Sequence, residues 1–391
     1  MTQQALIVGG GIGGLAAALA CTRAGWMARL YEKAAQFSEV GAGIQLGPNA
    51  TRILSRWDLD TALAQVAAFP HRLLVRDARD GTRLGALPLG NDIALRYGYP
   101  YVTIHRADLQ GLLLDAARGA GVFLEPGAPV DAAMPATDAV GLRLHDGREV
   151  EGDALVAADG LWSAMRGTVC GDSAPVFSGH LAYRALIEQK DLPRKLRSQD
   201  VSVWWGPSLH AVAYPVRRGE QLNVVVLVHS AAPGSAVRDW DQAGVASELH
   251  AAMGPMSSRL QELVHAMPHW RLWALHDRPP VRGADEMAQG RVALLGDAAH
   301  PMRPYFAQGA GMAIEDAAEL GRSLSMDALD VPLALRRYAL ARWQRVARVQ
   351  ALSRRNGWIF HASGVVRLGR DLSLRVLGQR LLDQPWLYRE T

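Results

Sequence analysis

Cysteine is nearly missing from this chain. Cys21 and Cys170 are the only two in 391 residues. They lie far apart and match no metal-ligand spacing, so neither a disulfide framework nor a zinc site is expected to organise the fold. A reducing compartment, the cytoplasm, is the expected location. Lysine is scarce as well: among 42 basic residues only Lys33, Lys190 and Lys195 are lysine. An arginine bias of that kind is genomic in character, so arginine abundance does not argue for nucleic acid. No apolar run is long enough to span a bilayer, and no transmembrane segment is expected. The N-terminal run ALIVGGGIGGLAAALA lacks a basic leader, and its glycines fall at nucleotide-binding positions. There are no repeats and no low-complexity tracts. Hydrophobic residues make up 49%, charged residues 20%, and the net charge is +4. That is the balance of a globular enzyme, with room for two domains of about 150 residues each.

What is present is a series of three glycine-acid motifs. Gly9, Gly11 and Gly14 form GxGxxG after the apolar run QALIV. Leu15 to Ala24 is expected to be helical, ending at Gly25, and Met27 to Tyr31 to be a second strand with Glu32 at its end. This is a βαβ unit of dinucleotide-binding length. The first glycine permits the tight turn, the second lets backbone approach pyrophosphate, and the third lets helix and strand pack closely. The helix N-terminus then offers free N–H groups and its positive dipole end to phosphate. Glu32 is placed to accept hydrogen bonds from ribose hydroxyls. A chance glycine cluster in a capping turn would require none of the flanking strand, helix and acid.

The second motif is Asp159-Gly160, and the third is Gly296-Asp297, just before the glycine-rich turn QGAG. In this order they point to FAD held by one domain. No second GxGxxG follows, so no separate nicotinamide-binding Rossmann domain is expected. Residues 121–158 read as strands with a hairpin at Asp146-Gly147, 181–230 as β-rich, 239–267 as helical, 291–295 as a buried strand and Gly311 to Met326 as a helix. The fold class is therefore α/β. Residues 1–70, 101–175 and 280–330 form a discontinuous Rossmann-like FAD-binding domain, and 71–100 with 176–279 form an inserted β-sheet substrate domain. Residues 331–391 form a C-terminal helical segment. Within it, 331–382 carries eleven arginines and one acid, Asp371. A solvated face or a dimer surface is expected there, with a homodimer as the candidate assembly.

Several motifs in the same order, GGGIGG, FSEVGAGIQLGPNA, VTIHRADL, AYRAL, LHAVAYPVRRGEQLN and GDAAHPM with QGAGMAIEDA, resemble the class A flavoprotein aromatic hydroxylases over essentially the full chain. The similarity is to the salicylate hydroxylase, 3-hydroxybenzoate 6-hydroxylase and 6-hydroxynicotinate 3-monooxygenase group. The resemblance implies a GR2/PHBH-type fold, non-covalent FAD, NADH or NADPH as co-substrate, and O2. It implies hydroxylation of a small hydroxylated aromatic acid through a flavin C4a-hydroperoxide. It also implies roles for individual residues. Gly13 and the other loop glycines, with Glu32 and Lys33, would hold the ADP half of FAD. Gln45 would lie near flavin and substrate, and Arg106 near the FAD phosphates. Asp159 would serve FAD and NAD(P)H, and Asp297 the ribityl chain. Gly309 and Ala310 would offer N–H groups to the isoalloxazine. The same residues also fit plain roles: Arg106 a surface charge, Asp159 a turn former, Asp297 an N-cap, Gln45 a loop residue.

Ring hydroxylation is favoured by a base or acceptor near the substrate hydroxyl. His210 and Tyr214, four apart in LHAVAYP, share one face of a strand. By the resemblance, His210 is the base or proton relay and Tyr214 an orienting hydrogen bonder. Their residue types alone favour a satisfied core histidine and a packed tyrosine. Tyr305 is expected to line the substrate pocket, with Gln45, and His300 to be structural. The 6-hydroxynicotinate enzymes carry histidines where this chain has Gln45 and Tyr305, so that substrate is the alternative.

Overall fold

The computed structural model describes residues 2–37, 42–171, 173–231 and 242–389. Ser38 to Gly41 of the FSEVGAGIQ motif, and the first residues of the expected 239–267 helical stretch, lie outside the described residues. Strands are numbered along the chain. The protein divides into two compact units of mixed α/β structure. The first comprises Met1–Glu39, Ala107–Val176 and Asp277–Ser353, and the second Val40–Arg106, Phe177–His276 and Arg354–Thr391.

In the first unit, β1 (Gln4–Val8), β2 (Met27–Glu32), β7 (Phe123–Pro126), β11 (Ala154–Ala157), β18 (Ala288–Gln289) and β19 (Val292–Leu294) form one sheet. Its order is β18-β19-β11-β1-β2-β7, parallel except where β18 meets β19. The central strands are almost wholly apolar because the sheet is covered on both faces. The Ile12–Arg23 helix buries Leu15 through Cys21 and packs against the Gly309–Leu324 helix. Small residues set that approach: a Cβ on Gly321 would lie 3.0 Å from the Ala20 carbonyl oxygen. The helix begins three residues earlier than expected, placing Gly13 and Gly14 inside its first turn. Gly14 fits there because a Cβ would overlap the Gly9 carbonyl oxygen. A smaller antiparallel sheet of β8 (Val130–Pro135), β9 (Val140–Leu144) and β10 (Glu149–Gly152) turns at Asp146-Gly147, with Gly147 at φ 88°.

The second unit contains a two-stranded ladder of β3 (Gly43–Leu46) and β6 (Val102–His105) and an eight-stranded sheet. The larger sheet is built from β4 (Arg72–Asp77), β5 (Arg83–Pro88), β12 (Val176–Glu188), β13 (Val201–Gly206), β14 (Leu209–Val216), β15 (Gln221–His229), β16 (Gln242–Gly244) and β17 (Trp270–Asp277). Their order is β16-β17-β12-β15-β14-β13-β4-β5. One face packs Tyr183, Leu222, Val224 and Val226 against Leu249, Leu260 and Leu263 of two short helices. Each such buried side chain contributes about 1.5–3 kcal/mol. The opposite face carries the polar groups described below.

The observed boundaries differ from the expected ones. Residues 42–70 and 101–106 group with the eight-stranded sheet, because β3, β6 and β14 are bonded neighbours: Tyr214 donates to the Gly43 carbonyl and Thr103 to the Pro215 carbonyl. The arginine-rich segment divides within the Val331–Phe360 helix. Most of the acids its arginines meet lie outside the segment. Arg336 pairs with Asp285, Arg337 with Glu319, Arg342 with Glu315 and Asp316, Arg345 with Glu315, Arg367 with Asp77, and Arg370 with Asp371. A run that looks unbalanced in sequence is thus largely balanced in space.

Candidate functional site

All three glycine-acid motifs of the first unit meet at the carboxyl ends of neighbouring parallel strands. Gly9 follows β1, Asp159 follows β11, Asp297 follows β19, and Glu32 ends β2. In open α/β sheets ligands bind at this edge. Gly9 adopts φ 105°, and a Cβ there would run into the Ala158 carbonyl, with Asp159 Cα 3.0 Å away. A Cβ on Gly13 would meet Leu295 at 3.0 Å. Gly11 caps the Ile12–Arg23 helix with extended backbone and no side-chain hydrogen bond. The loop is bare main chain, and its first turn carries no acid. Such a turn leaves N–H groups and a positive dipole end for an anion.

Glu32 braces this loop. Its carboxylate accepts from the Gly10 N–H at 2.5 Å and the Ala34 N–H at 2.7 Å. Each oxygen keeps a further lone pair for a hydroxyl. Lys33 is exposed beside it. Gln110 donates to the Gly10 carbonyl at 2.8 Å from a buried position among Leu109, Leu113 and Leu114. Sequence inspection missed this residue; a glutamine on an otherwise apolar helical face was the available signal. Asp159 accepts from the Ala164 and Met165 N–H groups at 2.9 and 3.3 Å, and burial raises its carboxyl above the ordinary value.

The loop carrying Asp297 is held from beneath. Asp297 itself is exposed. The fully buried Asp316 accepts from the Gly296 N–H at 3.1 Å, meets His300 Nε2 at 2.5 Å, and receives Arg342 Nε at 2.7 Å. Burial pushes the Asp316 carboxyl up, but His300 and Arg342 outweigh it and hold it below its ordinary value. Arg166 donates to the Ala298 and Ala299 carbonyls at 2.8 and 2.7 Å. His300 is therefore part of the support, while Asp316, Arg342 and Arg166 went unrecognised in the sequence. Tyr305 is buried, with its hydroxyl pushed up by burial, and precedes Ala307 at φ 50°. That left-handed residue turns the chain into the Gly309–Leu324 helix, whose first turn holds Gly309 and Ala310 and no acid.

In the second unit, one face of the large sheet gathers the remaining candidates. Register pairs Tyr214 with Asn223, Val212 with Val225, and Arg184 with Val225. Directly opposed residues share a face, so His210, Val212, Tyr214, Asn223 and Arg184 stand together. Along an extended strand His210 and Tyr214 are about 13 Å apart, with Val212 between them. They can flank a small ring without both contacting one atom. The Tyr214 hydroxyl donates to the Gly43 carbonyl at 2.6 Å, and Asn223 accepts from the Gly43 N–H at 2.8 Å. Gln45, two residues on, accepts from the Tyr101 hydroxyl at 2.5 Å. Arg184 lies over the Trp273 ring, and burial, with Arg106 adding, pulls its guanidinium well below the ordinary value. Arg106 opens its helix, its N–H bonded to the Ala42 carbonyl at 2.8 Å. His210 is 4% exposed and meets His361 at 2.9 Å. Burial first, and then His361 and His180, depress its basicity strongly. His361 went unnoticed in the sequence.

A glycine cradle at the edge of a parallel sheet, and a sheet face bearing imidazole, phenol and guanidinium, define a nucleotide-cofactor enzyme. The family described as FAD binding domain matches residues 2–350. The 3-hydroxybenzoate 6-hydroxylase of Polaromonas naphthalenivorans (strain CJ2) is 39% identical over 388 residues, 98% of this chain and 95% of that protein. The 3-amino-4-hydroxybenzoate 2-monooxygenase PtnB3 of Streptomyces platensis is 40% identical over 388 residues, 98% of this chain and 94% of that protein. Klebsiella pneumoniae HpxO, solved with FAD and uric acid, superposes with a TM-score of 0.85 at 26% identity, covering 97% of this chain and 94% of that one. The chain belongs to the FAD-dependent aromatic hydroxylases, flavoprotein monooxygenases that use NAD(P)H as co-substrate. Among the described residues no helix is long and apolar enough to cross a membrane, and no group of side chains is arranged to hold a metal.

Proposed function

We propose that the protein hydroxylates a small hydroxylated aromatic acid, of the hydroxybenzoate or salicylate kind, with NADH or NADPH and O2. The observation that carries this reading is the polar strip on the second unit's sheet. Neutral His210 and hydrogen-bonded Tyr214 flank Val212, with the half-buried guanidinium of Arg184 on the neighbouring rows. Hydroxybenzoate-acting relatives covering 98% of the chain support it.

The residues fit FAD. A Cβ at Gly9 or Gly14 would run into the loop's own backbone, so the tight turn and close helix packing of a dinucleotide site depend on these glycines. Glu32 would hold the adenosine ribose, with Lys33 beside it, and Arg106 and Asp159 the phosphate region. Asp297 would hold the ribityl hydroxyls, and the Gly309 and Ala310 N–H groups the isoalloxazine. When bound, FAD supplies the reduction by NAD(P)H and the transfer of one oxygen atom to the ring. The protein's own part is position and proton control. Gln45, bonded to the Tyr101 hydroxyl, would lie beside the substrate. Tyr214, committed to the Gly43 carbonyl, would orient the substrate through its oxygen lone pairs. His210 would accept the substrate's hydroxyl proton, making the ring more nucleophilic. Two unbridged cysteines are compatible with a cytoplasmic setting. A homodimer is part of the proposal, supported by the exposed apolar stripe Val365, Leu368, Leu372 and Val376.

NADH and NADPH oxidation by the FAD-loaded protein, measured against hydroxybenzoates, salicylate and 6-hydroxynicotinate with product analysis, tests this reading. A hydroxylated benzoate formed in step with coenzyme oxidation is the expected result. Turnover of 6-hydroxynicotinate alone would replace it with the decarboxylating alternative. No product from any of them would overturn the assignment of substrate class.

A further inference from the structure

A file of imidazoles crosses the second unit. His210 Nδ1 lies 2.9 Å from His361 Nε2, His361 Nδ1 lies 3.2 Å from His180 Nε2, and His180 Nδ1 lies 3.1 Å from the Ser178 carbonyl oxygen. The last contact fixes the direction of the whole file. A carbonyl only accepts, so His180 Nδ1 carries a proton and, in the neutral ring, His180 Nε2 accepts. His361 Nδ1 must then donate, which makes His361 Nε2 the acceptor for His210 Nδ1–H. His210 is left with Nε2 as its basic nitrogen. The proton positions follow from the acceptors the rings face.

The surroundings favour this neutral, oriented state. Phe360 presents its ring to His210 at 5.6 Å and stacks on Trp205 at 4.2 Å, closing an apolar wall over the buried end. At the other end His180 meets His229 edge to face at 5.4 Å, and His229 is exposed. The titratable and charged groups facing the file are His229 on β15 and Arg370 with its partner Asp371 on the Gly364–Leu377 helix. Burial first, then His180, His229 and Arg370, keep His361 low, at about 3. The imidazole nitrogens bond to one another in sequence, an arrangement suited to proton transfer.

We propose that His361 and His180 are positioning residues that form a proton relay, holding His210 with its Nε2 unprotonated and carrying the substrate's hydroxyl proton toward His180. This rests on His210 acting as the base. The substrate O–H bond breaks as His210 Nε2–H forms. The His210 Nδ1 proton passes to His361 Nε2, and the His361 Nδ1 proton passes to His180 Nε2. His180 then holds both protons as the imidazolium, its Nδ1–H still donated to the Ser178 carbonyl. Return of a proton to the product oxygen along the same path restores the original tautomers.

The test uses the FAD-loaded protein, 15N-labelled at histidine, with His361→Phe, His361→Gly and His210→Asn variants. Long-range nitrogen spectra are expected to show His210 and His361 of the wild type as neutral Nδ1–H tautomers near pH 7. His361→Phe is expected to lower kcat about tenfold or more, leaving KM little changed. Added imidazole is expected to restore turnover to His361→Gly, and flavin absorbance reports that both variants remain folded. Wild-type turnover in His361→Phe, or an Nε2–H tautomer at His210, overturns the relay. So does a rate loss in flavin-loaded His361→Gly that imidazole leaves unchanged. If His210→Asn keeps full activity, the base assignment itself fails. If His210→Asn is impaired while His361→Phe is not, only the relay fails.

Discussion

The cofactor cradle and the sheet face are made of different materials. Around Gly9 and Gly14 the contacts are main-chain atoms held by glycine, with Glu32 and Gln110 tying the loop. Around Val212 they are side chains delivered by three strands, β12, β14 and β15, held in register by the sheet. The first arrangement tolerates almost no added atom. The second tolerates exchange of side chains while the sheet persists. That difference fits a common cofactor in the cradle and variable aromatic substrates on the face.

The sharpest way to break the comparison is Gly14→Ala. Its Cβ would overlap the Gly9 carbonyl, so the turn must open. Strain of at least about 1–3 kcal/mol and purification without flavin are the expected outcomes, read by melting and by the flavin absorbance. A yellow, fully loaded Gly14→Ala protein would mean that the cradle is not where FAD binds. Arg342→Met comes next. It leaves Glu315 and Asp316 buried without their shared cation, and such losses cost about 3–5 kcal/mol. The expected result is a lower melting temperature and weaker flavin retention, because Asp316 positions the Gly296 loop. Unchanged melting would remove this network from the account.

A smaller effect sharpens the other side. His210 and His361 both titrate below the ordinary histidine value of 6.5 when folded, so the unfolded chain takes up protons first as pH falls. Stability from these two rings is full above about pH 6.5 and declines toward pH 3. The lowered Asp316 adds its loss only below about pH 4. Melting temperature is expected to fall between pH 7 and 5, and His361→Gln to flatten that slope. The same slope in both proteins would contradict the buried, neutral file.

The cradle was legible because its signals are local. A strand, three glycines, a helix and an acid lie within about thirty residues, the span of one βαβ unit. The sheet face was legible only in part. His210 and Tyr214 share a strand parity, and that alternation survives in the sequence. Their neighbours do not announce themselves. β15 is buried on both faces, so QLNVVVLVH shows no period of two from which Asn223 could be assigned a side. His361 lies 151 residues from its partner His210, and no local pattern links them. The same holds for Arg342, which sits in an arginine-rich stretch and is distinguished only by Asp316 and Glu315 in space. The acids that meet the C-terminal basic run, apart from Asp371, lie outside it in sequence.

The most direct test of the account is His210→Asn, with flavin occupancy and hydroxylated product measured in the same sample. The expected result is full flavin, preserved aromatic binding, and hydroxylation slowed about a hundredfold or more. Flavin loading and hydroxylation both at wild-type levels would contradict the assignment of proton control to this sheet face.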